Sequence, residues 1–175
     1  METERTLMRP HRLADFDDTA EMWSEPSVVR YISNGRPSAR RDSWSRLLRY
    51  IGHWSALDYG YWVVTDKRTG TFLGEVGFAD FMRGIDPALA GVPEIGWVLH
   101  PDAHGRGLAT ETVAQALRWG DAHLPSDRTF CIVDPDHAAS LRVAEKNGYR
   151  AFLSTMFQDN PVLLLERFRP APRGN

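Results

Sequence analysis

The run His100-Pro101-Asp102-Ala103-His104-Gly105-Arg106-Gly107-Leu108-Ala109-Thr110-Glu111 decides how this chain is read. The apolar stretch Ile95 to Leu99 before it predicts a β-strand, and an amphipathic helical pattern from Leu108 to Gly120 follows it. A strand, a glycine-punctuated turn and a helix in that order make an anion site. The first helical N–H groups have no intrahelical partner, and the helix dipole is positive at that end. Gly105 and Gly107 remove the Cβ atoms that would hold a phosphate away from the backbone, and Arg106 adds a mobile positive charge. The pattern implies a phosphate-bearing ligand, with an ordinary glycine turn as the plain alternative. A Walker A loop is excluded, because Leu108-Ala109 stands where Lys-Ser/Thr is needed. A dinucleotide fingerprint fails on spacing even with Ala109 as the third small residue, and the loop lies past the middle of the chain.

A second segment narrows the reading. Asp134-Pro135-Asp136-His137-Ala138-Ala139-Ser140-Leu141-Arg142-Val143-Ala144-Glu145-Lys146-Asn147-Gly148-Tyr149 follows a strand-like Thr129 to Val133. Together the two segments resemble the GCN5-related N-acetyltransferase (GNAT) family. Its loop pattern, Gln/Arg-x-x-Gly-x-Gly/Ala, corresponds to Ala103 through Ala109, with Ala103 or His104 where Gln or Arg is usual. Its Asn-x-x-Ser corresponds to His137-Ala138-Ala139-Ser140, with His replacing Asn, and its Glu-Lys-x-Gly-Phe/Tyr to Glu145 through Tyr149. The Ser, the Glu-Lys-x-Gly ending and the early Glu25-Pro26-Ser27-Val28-Val29-Arg30-Tyr31-Ile32 resemble the branch that acetylates ribosomal-protein N-termini (RimJ/RimL-like) and related small-amine acetyltransferases. The resemblance implies an acyl-CoA N-acyltransferase fold: mixed α/β, with a mostly antiparallel sheet splayed between the strands flanking the loop, and helices on its faces. It also implies acetyl-CoA as cosubstrate, bound by its pyrophosphate at the loop. The contacts expected are Trp97, Val98, Leu99, His104, Gly105, Arg106, Gly107, Leu108, Ala109, Thr110, His137 and Ser140.

Composition sets the outer bounds. The chain has 175 residues, one domain by length, here taken as residues 1–168 with 169–175 as a flexible tail. A hydrophobic fraction of 42% and a net charge of −2 describe an ordinary globular protein and point to neither nucleic acid nor an anionic membrane. The N-terminus lacks a signal-peptide core and no apolar run reaches membrane-spanning length, so the expected location is cytoplasmic. The expected assembly is a monomer or homodimer. Cys131 stands alone in a strand, reading as a buried thiol rather than a nucleophile. His100, Asp102, His104 and His137 match no zinc spacing, so no metal is expected.

Periodicity supplies the elements. Thr6 to Met8 predicts a first strand, and Asp15 an N-cap before Phe16, Ala20 and Trp23 at helical spacing. Trp44, Leu47, Leu48, Ile51 and Trp54 mark a second amphipathic helix with a basic outer face. Tyr61 to Val64 and Phe72 to Phe78 predict a hairpin, with Gly74 and Gly77 hinting at a bend or a close backbone approach. Strands at 93–99 and 130–133, helices at 108–122 and 137–147, and a final pair at 149–153 and 162–168 joined through Asp159-Asn160-Pro161 complete a mixed α/β sheet. Gly148 reads as a left-handed helix terminator.

Acetyl transfer from a thioester to an amine needs a neutral nitrogen, a donor for the carbonyl oxygen and a departing sulfur. Glu94 is the candidate base, against a plain strand-end carboxylate facing water. Alternation puts Glu94, Gly96 and Val98 on one face and Ile95, Trp97 and Leu99 on the other. The oxyanion donor is expected among the amides near Trp97 to Leu99. Ser140 is the candidate at the thiol end, against a serine bonding its own backbone. Many relatives carry a Tyr seven residues after the Asn position; Ala144 stands there. The acceptor is expected between the first helices and the 82–91 loop; of Trp44, Tyr50, Trp54, Tyr59 and Trp62 there, periodicity makes most core and leaves one or two to line a cleft, and Glu21, Glu25, Asp80 and Asp86 could attract a cation. The reading is an acetyl-CoA-dependent N-acetyltransferase acting on a primary amine, a protein N-terminal α-amine first. Alternatives are a small amine (amino acid, polyamine, aminoglycoside) or a CoA-binding sensor without turnover.

Overall fold

The computed structural model describes residues 1–171; residues 172–175 of the expected tail lie outside the described residues. Arg169, the first tail residue, is tied in: its amide donates to the Asp127 carbonyl and its guanidinium to the carbonyls of Leu124 and Ser126.

One seven-stranded sheet runs in the order β1-β2-β3-β4-β5-β7-β6. The strands are β1 (Thr6–Pro10), β2 (Tyr61–Asp66), β3 (Phe72–Ala79), β4 (Glu94–Leu99), β5 (Arg128–Val133), β6 (Arg150–Phe157) and β7 (Asn160–Phe168). Every neighbouring pair is antiparallel except β4 with β5, which is parallel and registers at one position, Glu94 opposite Phe130. This is the mixed, splayed sheet that the sequence predicts.

Helices cover both faces: α1 (Phe16–Ser24), α2 (Pro26–Val29) and α3 (Arg40–Leu57) on one, α4 (Leu108–His123) and α5 (Ala138–Lys146) on the other. The α4 face holds the larger apolar core, including Trp62, Phe78, Ile95, Leu99, Val113, Leu117 and Cys131. Trp54, Trp62 and Trp119 meet edge to face at centroid distances of 5.1–5.5 Å, so Trp54 and Trp62 pack in the core, as periodicity implies for most of the aromatics near the first helices.

Local chemistry explains three departures from the periodic reading. Asp15 begins α1, but its carboxylate accepts from the Arg9 guanidinium and the Arg12 amide instead of capping the helix. On α3 the buried stripe is Ser43, Leu47 and Tyr50, while Trp44 and Leu48 are 39% and 44% exposed. The last hairpin turns at Gln158 and Asp159, both at positive φ (50° and 64°), which closes Phe157 on Asn160 ahead of Pro161. Helix α5 stops as predicted. Gly148 takes φ 84°, and the amides of Gly148 and Tyr149 return to the carbonyls of Glu145 and Ala144.

Candidate active site

The splay leaves one edge of β4 open. Pro93 directs its carbonyl toward β5, where it accepts from the Phe130 amide, and His100 donates on the opposite side to Leu73 of β3. Backbone direction alternates along a strand, so the groups of Trp97 and Leu99 point to the open side and those of Gly96 and Val98 into the β3 ladder. The structure thus separates the three predicted contacts. Trp97 and Leu99 present amides to the gap, whereas Val98 pairs with Glu75 and packs its side chain against Met22, Trp23, Val28 and Val29.

Beyond Leu99 the chain makes a 3₁₀ turn at Pro101–Ala103 and enters the glycine loop. Gly105 and Gly107 adopt φ 71° and 75°, and Gly107 is the N-cap of α4. The first backbone bond into the helix is Glu111 N–H to the Gly107 carbonyl. The six successive amides of Gly105 through Thr110 have no hydrogen-bond partner among the described residues. They line the positive end of a sixteen-residue helix, and a Cβ built on Gly105 would meet nothing within 4 Å. Leu108 is buried and anchors the loop below. Arg106 stays exposed near Asp66, at 3.9 Å. His104 does not reach outward through Nε2, which lies 2.8 Å from the Leu99 carbonyl and donates to it. That bond closes the loop onto the strand end. From the N-terminal side, Arg5 donates to the Arg106 carbonyl (2.8 Å) and to Glu111 (2.7 Å), clamping loop and helix together.

Across the gap, α5 presents His137 as its N-cap residue and Ser140 one turn on. Ser140 Oγ lies 3.5 Å from His137 Nε2; no bond to its own backbone is present among the described residues. The His137 ring stacks on Tyr31 at 4.4 Å and 15°. Burial lowers its proton affinity, Asp134 opposes and His104 adds to the effect, so the ring is neutral at neutral pH. A neutral imidazole retains one donor and one acceptor nitrogen, enough to stand in for an asparagine amide toward an amide-bearing ligand.

Glu94 faces the α1–α3 side. Its carboxylate is buried and takes a two-pronged ion pair from Arg83, Nε to Oε2 at 2.7 Å and Nη2 to Oε1 at 2.9 Å. Burial raises its proton affinity above the ordinary carboxylate range, and Arg83 offsets part of that rise. The pair borders a cavity of about 230 Å³ lined by Asp80, Phe81, Leu89 and Phe130. Arg83 lies over the rings of Phe81 and Phe157, at 4.6 Å and 5.4 Å. Two of the proposed acids line this cavity, and each accepts from a backbone amide two residues on: Asp80 from Met82 and Asp86 from Ala88. Farther along the same face, fully buried Glu75 accepts from His11 Nε2 (3.0 Å), Thr19 Oγ1 (3.0 Å) and Trp23 Nε1 (2.9 Å). Burial pushes its carboxyl up, but the His11 bond and charge, with Trp23 and Arg46, hold it below the usual range.

Arg5, Tyr31, Glu75 and Arg83 carry no periodic signal that marks them as site residues. Glu75 leaves one trace, a lone acid inside the apolar strand Phe72–Ala79. Cys131 is buried in the α4-side core, and burial pushes its thiol far up, away from nucleophilic use. Among the described residues no three His, Cys, Asp or Glu side chains gather as a metal site, and no helix is long and apolar enough to cross a membrane.

Comparison with known proteins agrees with this geometry. An acetyltransferase (GNAT) domain model matches residues 5–150. A putative GNAT-family acetyltransferase from Bordetella pertussis is 30% identical, with TM-score 0.85 over 95% of this chain and 98% of that one. Two structures of lower identity share the fold. The ribosomal-protein-S5-alanine acetyltransferase from Vibrio fischeri is 17% identical (TM-score 0.75, 97% and 96% covered). The spermidine N-acetyltransferase from Vibrio cholerae, solved with CoA and spermine, is 15% identical (TM-score 0.75, 95% and 97% covered). The chain belongs to the GNAT acetyltransferase family and is an acetyl-CoA-dependent N-acetyltransferase.

Proposed function

We propose that the protein moves the acetyl group of acetyl-CoA directly to a primary amine, with a protein N-terminal α-amine as the preferred acceptor. The observation that carries the reading is the row of free amides from Gly105 to Thr110 beside the open edge of β4. The amides hold the diphosphate, and the gap between β4 and β5 receives the chain that ends in the thioester. Trp97 N–H or Leu99 N–H donates to the carbonyl oxygen as negative charge develops there. The amine enters from the α1–α3 face. Its lone pair forms the N–C bond, the C–S bond breaks with its electrons on sulfur, and one nitrogen proton passes to Glu94. The thiolate, of pKa about 8.5, departs with little help and takes its proton from water, directly or relayed through the Ser140 hydroxyl.

The strength of the base supports the α-amine. Arg83 occupies both oxygens of Glu94 and keeps it a modest base. An α-amine of pKa about 7.7–8.0 is partly neutral at physiological pH, whereas a lysine-type amine near 10.4 is almost wholly protonated. The motif resemblance to the ribosomal N-terminal branch points the same way. A small polyamine is the second reading, favoured by the equal TM-scores of the spermidine and ribosomal-protein enzymes.

Calorimetry with CoA and thiol release with a panel of N-terminal peptides and small amines test the proposal. Gly107→Val forces a branched side chain to φ 75° at the cradle and should weaken CoA at least about 100-fold, or about 2.7 kcal/mol. Unchanged CoA affinity in that variant, or no thiol release by the wild type with any amine, would sink it.

A further inference from the structure

Tyr61, at the start of β2, is a buried aromatic on the acceptor face, and its side chain reaches across β3 to β4. Tyr61 registers with Gly77 of β3, and Gly77 registers with Gly96 of β4. A Cβ on Gly77 would run into the Tyr61 backbone, and a Cβ on Gly96 would run into the Tyr61 hydroxyl. Glycine inside a central strand weakens it and marks a close approach. Here Gly77 admits the Tyr61 backbone, and Gly96, in register on the next strand, leaves room for the phenol to reach β4.

The residue is held from three directions. Its carbonyl accepts from Trp54 Nε1 (2.9 Å) and from His11 Nδ1 (3.2 Å). Its ring stacks on Tyr50 at 4.3 Å and 3°. Its tip rests against Gly96, on the face that also carries Glu94 and Val98. Yet the hydroxyl itself makes no hydrogen bond among the described residues. A buried tyrosine oxygen ordinarily finds a partner. The enclosed side-chain atoms that lack one are Ser43 Oγ, Arg46 Nη1, His53 Nδ1 and Arg169 Nε. The Tyr61 oxygen is not among them, although the residue as a whole is only 4% exposed.

We infer that the Tyr61 hydroxyl binds the acceptor nitrogen, making Tyr61 a catalytic residue of the acetyl transfer. The inference rests on the proposed reaction at this site. Burial first, then neighbouring Tyr50 and the charges of Glu94 and Glu75, push the phenol far up, so it remains neutral and keeps its own proton throughout. A neutral hydroxyl accepts from one N–H of the amine and turns the nitrogen lone pair toward the gap. Glu94, two residues along the same face of β4, takes the proton that leaves.

The test is Tyr61→Phe in the full chain, assayed by thiol release with the amine that the wild type uses best. The ring and its stack on Tyr50 remain, so only the oxygen is lost. The expected result is a 10- to 100-fold fall in kcat/KM for the amine, with CoA affinity by calorimetry within twofold of wild type. Unchanged kcat/KM overturns the inference and leaves the proposed function standing. Failure of the wild type to release thiol overturns both. Gly96→Ala gives an independent check of the geometry, because its methyl group meets the hydroxyl. It should lower the melting temperature, and adding Tyr61→Phe should restore part of the loss. A Gly96→Ala variant as stable as wild type would show that the oxygen does not sit in this notch.

Discussion

On the α4 face of the sheet, Trp62, Phe78, Ile95 and Leu99 meet Val113, Leu117 and Trp119 with no charged side chain among them. On the α1–α3 face, Glu75, Glu94 and His11 lie buried and Arg46 half-buried between the sheet and its helices, and Arg83 reaches Glu94 from an exposed loop. The first face does what apolar burial does everywhere: it stabilises without regard to pH. The second requires each buried charge to find a partner, since an unpaired one costs several kcal/mol. A fold that needed only stability would build both faces like the first. Concentrating ionisable groups on one face, next to the splayed strand, is the arrangement of a protein that handles protons there.

Substitutions can break this contrast. The largest expected effect is on the dry face: Phe78→Ala should cost about 3–5 kcal/mol in urea unfolding, equally at pH 7 and pH 4. Glu75→Gln should cost about 3 kcal/mol at pH 7 by leaving buried donors mismatched. That cost has a pH signature. The folded carboxyl of Glu75 lies below its unfolded value, so its stabilisation is complete above about pH 4.3 and disappears as the pH falls through the folded value. The gap from wild type should therefore close in acid; a gap constant with pH would remove the contrast between the faces.

Glu94→Gln should lower kcat/KM about 100-fold and flatten the acid limb of the pH–rate profile. In the wild type that limb should lie above the ordinary carboxylate range, because burial raises Glu94 and the base must be ionised to act. Arg83→Met should carry the limb higher still, since the carboxylate loses its counter-charge. The smallest effect is on the surface: Arg5→Ala should cost less than about 1 kcal/mol, less again in high salt, because its pair with Glu111 is partly exposed.

Much of this was legible in the residues before any coordinates. Elements repeated at 2.0 or 3.6 residues showed themselves, as did the loop, because Gly105 and Gly107 sit between a strand and a helix signal. The misreadings share a cause. Helix α3 is apolar on more than one side, so the pattern at Trp44 and Leu48 could not say which stripe faces the sheet; tertiary contact chose Ser43, Leu47 and Tyr50. Asp15 had two possible uses for its oxygens, and Arg9, six residues earlier, won. The partner of Glu94 comes from a loop eleven residues upstream, where no periodicity operates. The reach of Tyr61 to β4 needs three strands in register, and Gly77 alone hinted only at a close approach.

One rung joins β4 to β5. The four strands before it and the three after it are therefore knitted together mainly by side chains and by α4 and α5, not by a continuous ladder. Amide deuteration should expose this seam. Hydrogens on the outer side of β4 beyond Glu94 would exchange readily, while their neighbours turned toward β3 stay protected. A thioester lodged in the gap would then act as the missing stitches, slowing uptake on both margins at once.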